Sequence, residues 1–155
     1  MIALSESIYI PSLTDIERAY LRLRHVVIHT PLTSSVNLSQ QMTANIWLKR
    51  EDLQVVRSYK LRGAYNKICT LDKESLAKGV VCASAGNHAQ GVAYSCQKMG
   101  ISGKIFMPTP TPKQKVRQVK LFGKEFVEVI LTGDTFDDAY NAAMAYSEVE
   151  QVPFI

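Results

Sequence analysis

Residues 80–107, VVCASAGNHAQGVAYSCQKMGISGKIFM, contain the pattern that decides the fold class. A short apolar run at 80–84 predicts a buried strand, and residues 87–99 have the length and apolar spacing of a helix. A second apolar run at 104–107 predicts the next strand. Strand, helix and strand in this order form a βα unit, in which the strands are parallel and the helix covers the sheet.

The same alternation continues towards the end of the chain. The later predicted elements are a helix at 113–122, a strand at 126–131, a helix at 135–148 and an apolar strand at 152–155. Thr111 and Pro112 are typical of the cap and the first residue of the middle helix. Three βα units predict the α/β class, with parallel sheets and covering helices.

The first 75 residues have a less regular pattern. Their predicted elements are a helix at 15–26, a short helix at 35–42, a strand at 45–50 and a helix at 58–71. Thr14 and Glu17 have the spacing of a capping box at the start of the first helix. Ser58 is predicted to cap the last of these helices, which puts Lys60 in its first turn.

The composition is that of an ordinary globular protein. The chain has 155 residues, of which 46% are hydrophobic and 21% charged, and a net charge of +4. It lacks both the roughly 18 successive apolar residues of a membrane span and a secretory signal pattern, so we expect a cytoplasmic protein without a membrane partner. We interpret the basic residues between 113 and 124 as a solvated helix face, not as a nucleic-acid surface. His25 and His29 lack further ligands nearby, so no metal site is predicted.

The segment SYKLRGA at 58–64 is the first candidate for chemistry. The positive end of a helix dipole favours a neutral amine in the first turn, and a neutral amine is the form that attacks an aldehyde. Gly63 is unfavourable inside a helix by up to about 1 kcal/mol, which suggests that another group approaches closely there. Taken by itself, Lys60 is more often an ordinary surface lysine.

The second candidate is SAGNHAQG at 84–91, between a predicted strand and a predicted helix. Free backbone N–H groups at a helix start, next to the small residues Ala85 and Gly86, form a cradle for an anion such as a carboxylate. A tight turn capped by Asn87 explains the same residues equally well, and the residues alone leave both interpretations open.

Together these two motifs, about twenty residues apart, resemble the serine/threonine dehydratase family of fold-type-II pyridoxal-phosphate enzymes. The resemblance continues through FMP at 106–108, TP at 111–112, KV at 115–116 and LTGDTFDDA at 131–139. It covers nearly all residues from 16 onward. Its details are most similar to the bacterial biosynthetic threonine dehydratases of that family.

The resemblance implies a role for each motif residue. Lys60 would hold pyridoxal 5'-phosphate covalently and, once displaced by substrate, move the α-proton. Asn87 would donate a hydrogen bond to the phenolic oxygen of the cofactor. Tyr59 would lie against the cofactor, although the family more often has Phe there. The loop that would bind the substrate carboxylate consists of Ser84, Ala85, Gly86, Asn87 and His88.

The implied reaction converts L-threonine to 2-oxobutanoate and ammonia, the first step of isoleucine biosynthesis, with L-serine as a second substrate. The implied assembly is a homo-oligomer, a dimer or a tetramer. Related serine racemases have a second serine where Ala85 stands, so Ala85 favours dehydration over racemisation. The alternatives are a serine-preferring dehydratase or racemase, and a non-catalytic α/β module for effector binding or oligomerisation.

The resemblance also implies a division of the chain. Residues 1–75 would form the first part of the large cofactor domain, residues 76–152 the small βα domain, and residues 153–155 the start of the return into the large domain. The phosphate-binding loop and the partner of the pyridine nitrogen are expected beyond residue 155, so this chain alone would lack a phosphate anchor. We therefore expect exposed apolar surface on residues 1–75, called the first segment below, and at Phe154 and Ile155.

Overall fold

The structure, a computed structural model, describes residues 9–155. In chain order, its helices are α1 Leu13–Leu23, α2 Val36–Met42, α3 Lys60–Ile68, α4 Lys73–Lys78, α5 Asn87–Met99, α6 Lys113–Gly123 and α7 Phe136–Glu150. Its strands are β1 Leu32–Ser34, β2 Trp47–Lys49, β3 Val80–Ala83, β4 Gly103–Met107 and β5 Val127–Leu131. The predicted α/β class is confirmed, and α5 has the predicted bounds.

A parallel sheet in the order β3-β4-β5 forms the centre of the second half of the chain. The last residues run along the free edge of β3. The Val81 N–H donates to the Pro153 carbonyl, and the Ile155 N–H donates to the Val81 carbonyl, both at 2.9 Å. The apolar end of the chain therefore pairs as a parallel strand, and the division into two domains stays a prediction.

Helices cover both faces of this sheet. Val80 and Cys82 of β3 belong to a buried cluster that includes residues of α3, α5 and α6, whereas Val81 and Ala83 pack with Ala139 of α7. Because successive side chains of a strand point to opposite faces, a strand covered on both sides needs an unbroken apolar run. This explains why the run at 80–83 shows no polar alternation.

The first segment forms a separate antiparallel pair, β1 with β2. Large apolar side chains here are exposed, among them Ile16, Tyr20, Met42 and Trp47, as the sequence predicts. The matching expectation for Phe154 and Ile155 is wrong. Both are half-buried, because the edge of β3 and the helices beside it cover them.

Three of the predicted helix caps were wrong, those of α1, α3 and α6. Helix α1 is capped by Ser12, not by Thr14, and the carboxylate of Asp15 accepts the Ser12 N–H at 2.9 Å in a capping box. These hydrogen bonds, led by the one from the Ser12 hydroxyl, lower the pKa of Asp15 to about 2. At α6 the cap is Pro112, because the Thr111 hydroxyl donates to the Pro108 carbonyl instead.

Helix α4 lies in a stretch for which no element was predicted. Asp72 caps it by accepting the Ser75 N–H at 2.8 Å, so the sequence carried a usable signal. At α3 the cap position is Tyr59, although the Ser58 hydroxyl accepts the Lys60 N–H at 3.2 Å.

None of the helices described for residues 9–155 has both the length and the hydropathy of a membrane span. Within the same residues, no group of three metal-ligating side chains comes together. Cys82 and Cys96 are buried thiols, and burial raises the pKa of Cys96 to about 12.

A polar cluster around Glu51 links the chain at Ile28 and Thr30 to α3. The Arg62 guanidinium donates to both carboxylate oxygens of Glu51 at 2.8 Å, and the Thr30 hydroxyl donates to one of them at 2.6 Å. Gln54 accepts the Ile28 N–H and donates to the Ile28 carbonyl. The Arg62 bonds, ahead of the Thr30 bond, lower the pKa of Glu51 from 4.5 to about 2. A charge-paired cluster thus fixes the chain on both sides of the turn that precedes Lys60.

We expect Glu51→Gln to lower the free energy of unfolding at pH 7 by roughly 1.5–3 kcal/mol, the range for a hydrogen bond to a charged group. The Glu51 side chain is only 15% exposed, so water replaces the lost bonds poorly. Because the folded pKa is depressed, this contribution is present above pH 4.5 and disappears as the pH falls towards 2. Urea denaturation of both proteins across this pH range measures the difference.

Asp52→Asn is the matched control, since it removes a neighbouring carboxylate whose ion pair with Arg50 is exposed. It should destabilise the protein much less than Glu51→Gln. Equal losses in the two variants would contradict a special role for the Glu51 cluster.

Candidate active site

Lys60 is the first residue of α3, and its side chain is exposed. Its Nζ lies 5.5 Å from the centre of the Tyr59 ring. Both residues line a cavity of about 270 Å³, together with Gly63 and His88. Among residues 9–155, no carboxylate pairs with Lys60, so the amine is accessible to a ligand.

The loop at 84–86 lies at the carboxyl end of β3 and leads into α5. Gly86 is the cap residue of α5, and no side chain caps this helix. The Ser84 hydroxyl instead accepts the Gly86 N–H at 3.2 Å. Asn87 is the first helical residue, so the alternative of a turn capped by Asn87 is wrong. The open helix start keeps its backbone N–H groups and the positive end of its dipole available to an anion.

His88 makes a contact that its motif did not predict. Its Nε2 lies 2.9 Å from the carbonyl oxygen of Ile155, and the ring is half-buried. The imidazole is therefore engaged by the strand that runs along β3. What His88 can offer to an anion at the start of α5 is its backbone N–H.

The predicted site residues are only partly brought together. Tyr59, Lys60 and His88 line one cavity, whereas Asn87 lines a neighbouring cavity of about 570 Å³ beside Arg57. The loop residues Ser84, Ala85 and Gly86 are half-buried between β3 and α5. The lysine and the open helix start thus lie on two adjacent helices, α3 and α5, that pack against each other.

The close approach expected at Gly63 occurs at Gly91 instead. A Cβ built on Gly63 would meet no atom within 4 Å. A Cβ on Gly91 would lie 3.1 Å from the Leu61 nitrogen and the Lys60 carbonyl carbon, and 3.2 Å from the Lys60 carbonyl oxygen. Sequence reasoning missed this residue, although a glycine inside α5 was a signal of the same kind as Gly63.

Lys60 and Asn87 fit the aldehyde and ring-oxygen end of pyridoxal phosphate. An accessible lysine amine suits its aldehyde, and the exposed amide of Asn87, at an open helix start, offers a donor for the ring oxygen. A phosphate group needs several oriented N–H donors, and the sequence contains no run of consecutive glycines that would supply such a loop. No residue is therefore assigned to the phosphate.

Two curated relatives are named L-threonine dehydratase biosynthetic IlvA. The protein of Halalkalibacterium halodurans is 61% identical over 141 residues, which cover 91% of this chain and 34% of the relative. The protein of Bacillus subtilis is 61% identical over 138 residues, which cover 89% of this chain and 33% of the relative. The chain thus spans about a third of the length of these curated relatives.

Two solved structures of enzymes are also similar to this chain. The processed form of threonine deaminase isoform 2 from Solanum lycopersicum superposes with a TM-score of 0.81 at 40% identity, covering 94% of this chain and 40% of that one. Maize serine racemase superposes with a TM-score of 0.85 at 31% identity, covering 95% and 44%. The family model described as pyridoxal-phosphate dependent enzyme matches residues 23–154, and the chain therefore belongs to this family.

Proposed function

We propose that this chain supplies the lysine-bearing part of a pyridoxal-phosphate-dependent L-threonine dehydratase. That enzyme converts L-threonine to 2-oxobutanoate and ammonia, the first step of isoleucine biosynthesis. The observation that carries the proposal is the accessible Lys60 amine in a cavity beside the open start of α5. Identities of 61% to two biosynthetic threonine dehydratases support the choice of substrate.

Each site residue then has a defined task. Lys60 bonds the cofactor through its amine and, once substrate has displaced it, accepts the α-proton. Asn87 donates its amide N–H to the phenolic oxygen of the ring, and Tyr59 lies against the ring. Backbone N–H groups of the 84–88 loop bind the substrate carboxylate. Bound pyridoxal phosphate supplies an electron sink for the charge left on the substrate carbon.

Ala85 is the residue that favours dehydration over racemisation. A racemase needs a second proton carrier on the opposite face of the substrate, and a methyl side chain cannot hold or move a proton. Overall shape does not separate the two activities, since both a threonine deaminase and a serine racemase superpose well on the chain. L-Serine is the expected second substrate, because it has the same leaving group.

The remaining parts of the proposal concern the whole protein. We infer that it works in the cytoplasm as a homo-oligomer, a dimer or a tetramer. The exposed apolar side chains of the first segment support burial against further protein, because single domains rarely leave such a surface open to water.

Borohydride reduction tests the role of Lys60. After mixing with pyridoxal phosphate, reduction makes the bond between the lysine and the aldehyde carbon permanent, and peptide mapping locates it. We expect the label on Lys60, its loss in Lys60→Ala, and an unchanged label in Lys73→Ala, which removes an exposed lysine of α4.

The same measurement on a chimera, with this chain joined to the remaining two thirds of the Bacillus subtilis relative, repeats the test at the relatives' length. Label on Lys60 in either form supports the proposal. Label in neither form, or label spread evenly over exposed lysines, would contradict it and favour a non-catalytic α/β module.

Asn87→Ala should weaken cofactor binding about 10- to 100-fold, the equivalent of roughly 1.5–3 kcal/mol for a lost hydrogen bond to a charged oxygen. Fluorescence titration of the chimera with pyridoxal phosphate measures the dissociation constant. Asn37→Ala, at an exposed position of α2, is the control and should bind like the unmodified protein. Equal affinity of Asn87→Ala and the unmodified protein would remove Asn87 from the cofactor site.

A further inference from the structure

Helix α5 contacts α3 at Gly91, directly against the backbone of Lys60. A Cβ on Gly91 would lie 3.1 to 3.2 Å from the carbonyl carbon and oxygen of Lys60 and from the nitrogen of Leu61. Ser95, one turn further along α5, is fully buried and donates its hydroxyl to the Gly91 carbonyl at 2.7 Å. At this point of the helix interface, backbone therefore packs directly against backbone.

The atoms that a side chain at position 91 would meet cannot rotate away. They belong to the main chain of α3, and the adjoining Leu61 side chain is fully buried, which leaves it little room to move. Contacts this short force the neighbour to give by a few tenths of an ångström. The displacement would act on Lys60 itself, because its carbonyl is one of the groups in contact.

We propose that Gly91 is a positioning residue for Lys60, which sets the separation between the lysine and the first turn of α5. Asn87 precedes Gly91 by four residues and so lies on the same side of the helix, one turn closer to its start. Any side chain at position 91 moves the amine relative to Asn87 and to the open N–H groups. This inference rests on the proposed cofactor role of Lys60.

Two opposing effects on stability make Gly91→Ala a useful test of the position of Lys60. Alanine is the better helix former, which favours the folded state, while crowding against α3 disfavours it. The two effects offset each other in stability, but only the crowding changes the position of Lys60. Gly91→Val adds a larger, branched side chain and should exaggerate the displacement.

Gly103→Ala is the matched control for crowding without displacement of the lysine. Gly103 begins β4 at the amino end of the sheet, opposite the loop that leads into α5. Its Cβ would lie 2.6 Å from the sulfur of the buried Cys96, near the end of α5 that is farther from Asn87. The atom met there belongs to a side chain, whereas the atoms met at Gly91 belong to the backbone of Lys60 and Leu61. This variant should therefore lower the melting temperature by several degrees while leaving the amine of Lys60 in place.

The experiment compares the rate of borohydride-trapped labelling of Lys60 among the unmodified protein, Gly91→Ala, Gly91→Val and Gly103→Ala. All four proteins are made as the chain alone if the chain alone is labelled at Lys60, and as the chimera if only the chimera is. Melting temperatures are recorded for each protein. We expect labelling of Gly91→Ala to be roughly three- to tenfold slower, and that of Gly91→Val slower still, since small misplacements of a reacting group are costly. Gly103→Ala should label at the unmodified rate despite its lower melting temperature.

The outcomes separate the two ideas. Normal labelling of Gly91→Ala and Gly91→Val at Lys60 would overturn the positioning role while leaving the proposed function intact. Slow labelling of Gly103→Ala in proportion to its lost stability would also overturn it, because general loosening would then explain the effect. Absence of label on Lys60 in the unmodified chain and chimera would overturn the proposed function and the positioning role together.

Discussion

The backbone contact between α3 and α5 at Gly91 is the constraint on which the candidate site depends. Lys60 begins one helix and Asn87 begins the other, so the relative placement of their side chains follows from how these helices cross. A crossing made by main-chain atoms has less freedom than one made by side chains, which can change rotamer. Packing against Lys60 thus explains the glycine at position 91. It does not explain Gly63, which lies on the exposed side of α3.

The Glu51 cluster is a second constraint on α3. Arg62 lies two residues after Lys60 and is held by a carboxylate that also accepts the Thr30 hydroxyl. A partly buried pair of this kind is sensitive to loss of either partner, because the remaining charge is left without its hydrogen bonds. Arg57, three residues before Lys60, has a φ of 55°, which is uncommon for a residue with a side chain. Helix packing and charge pairing therefore act on the same turn of α3.

The two halves of the chain differ in how completely they bury their apolar residues. Helices cover the parallel sheet on both faces, and residues 153–155 occupy the edge of β3. In the described part of the first segment, β1 and β2 form a two-stranded sheet, and Ile16, Tyr20 and Trp47 are exposed. Because the curated relatives are about three times as long, this difference supports the proposal that the first segment packs against further protein.

Local patterns in the sequence determined most of the elements, and the exceptions were the short strand β1 and the short helix α4. Apolar runs of strand length, helical spacing and the two motifs were sufficient for the α/β class, for α5 and for the family resemblance, since these depend on residues near one another in the chain. The hydrogen-bond partner of a capping side chain was harder to predict. The Thr111 hydroxyl, for example, donates to the Pro108 carbonyl instead of capping α6. Only the tertiary structure decided that Gly91 lies against Lys60, that His88 contacts Ile155, and that Glu51 pairs with Arg62. Each of these contacts joins different elements, and the distance between elements is set by packing across the whole core, which no local pattern records.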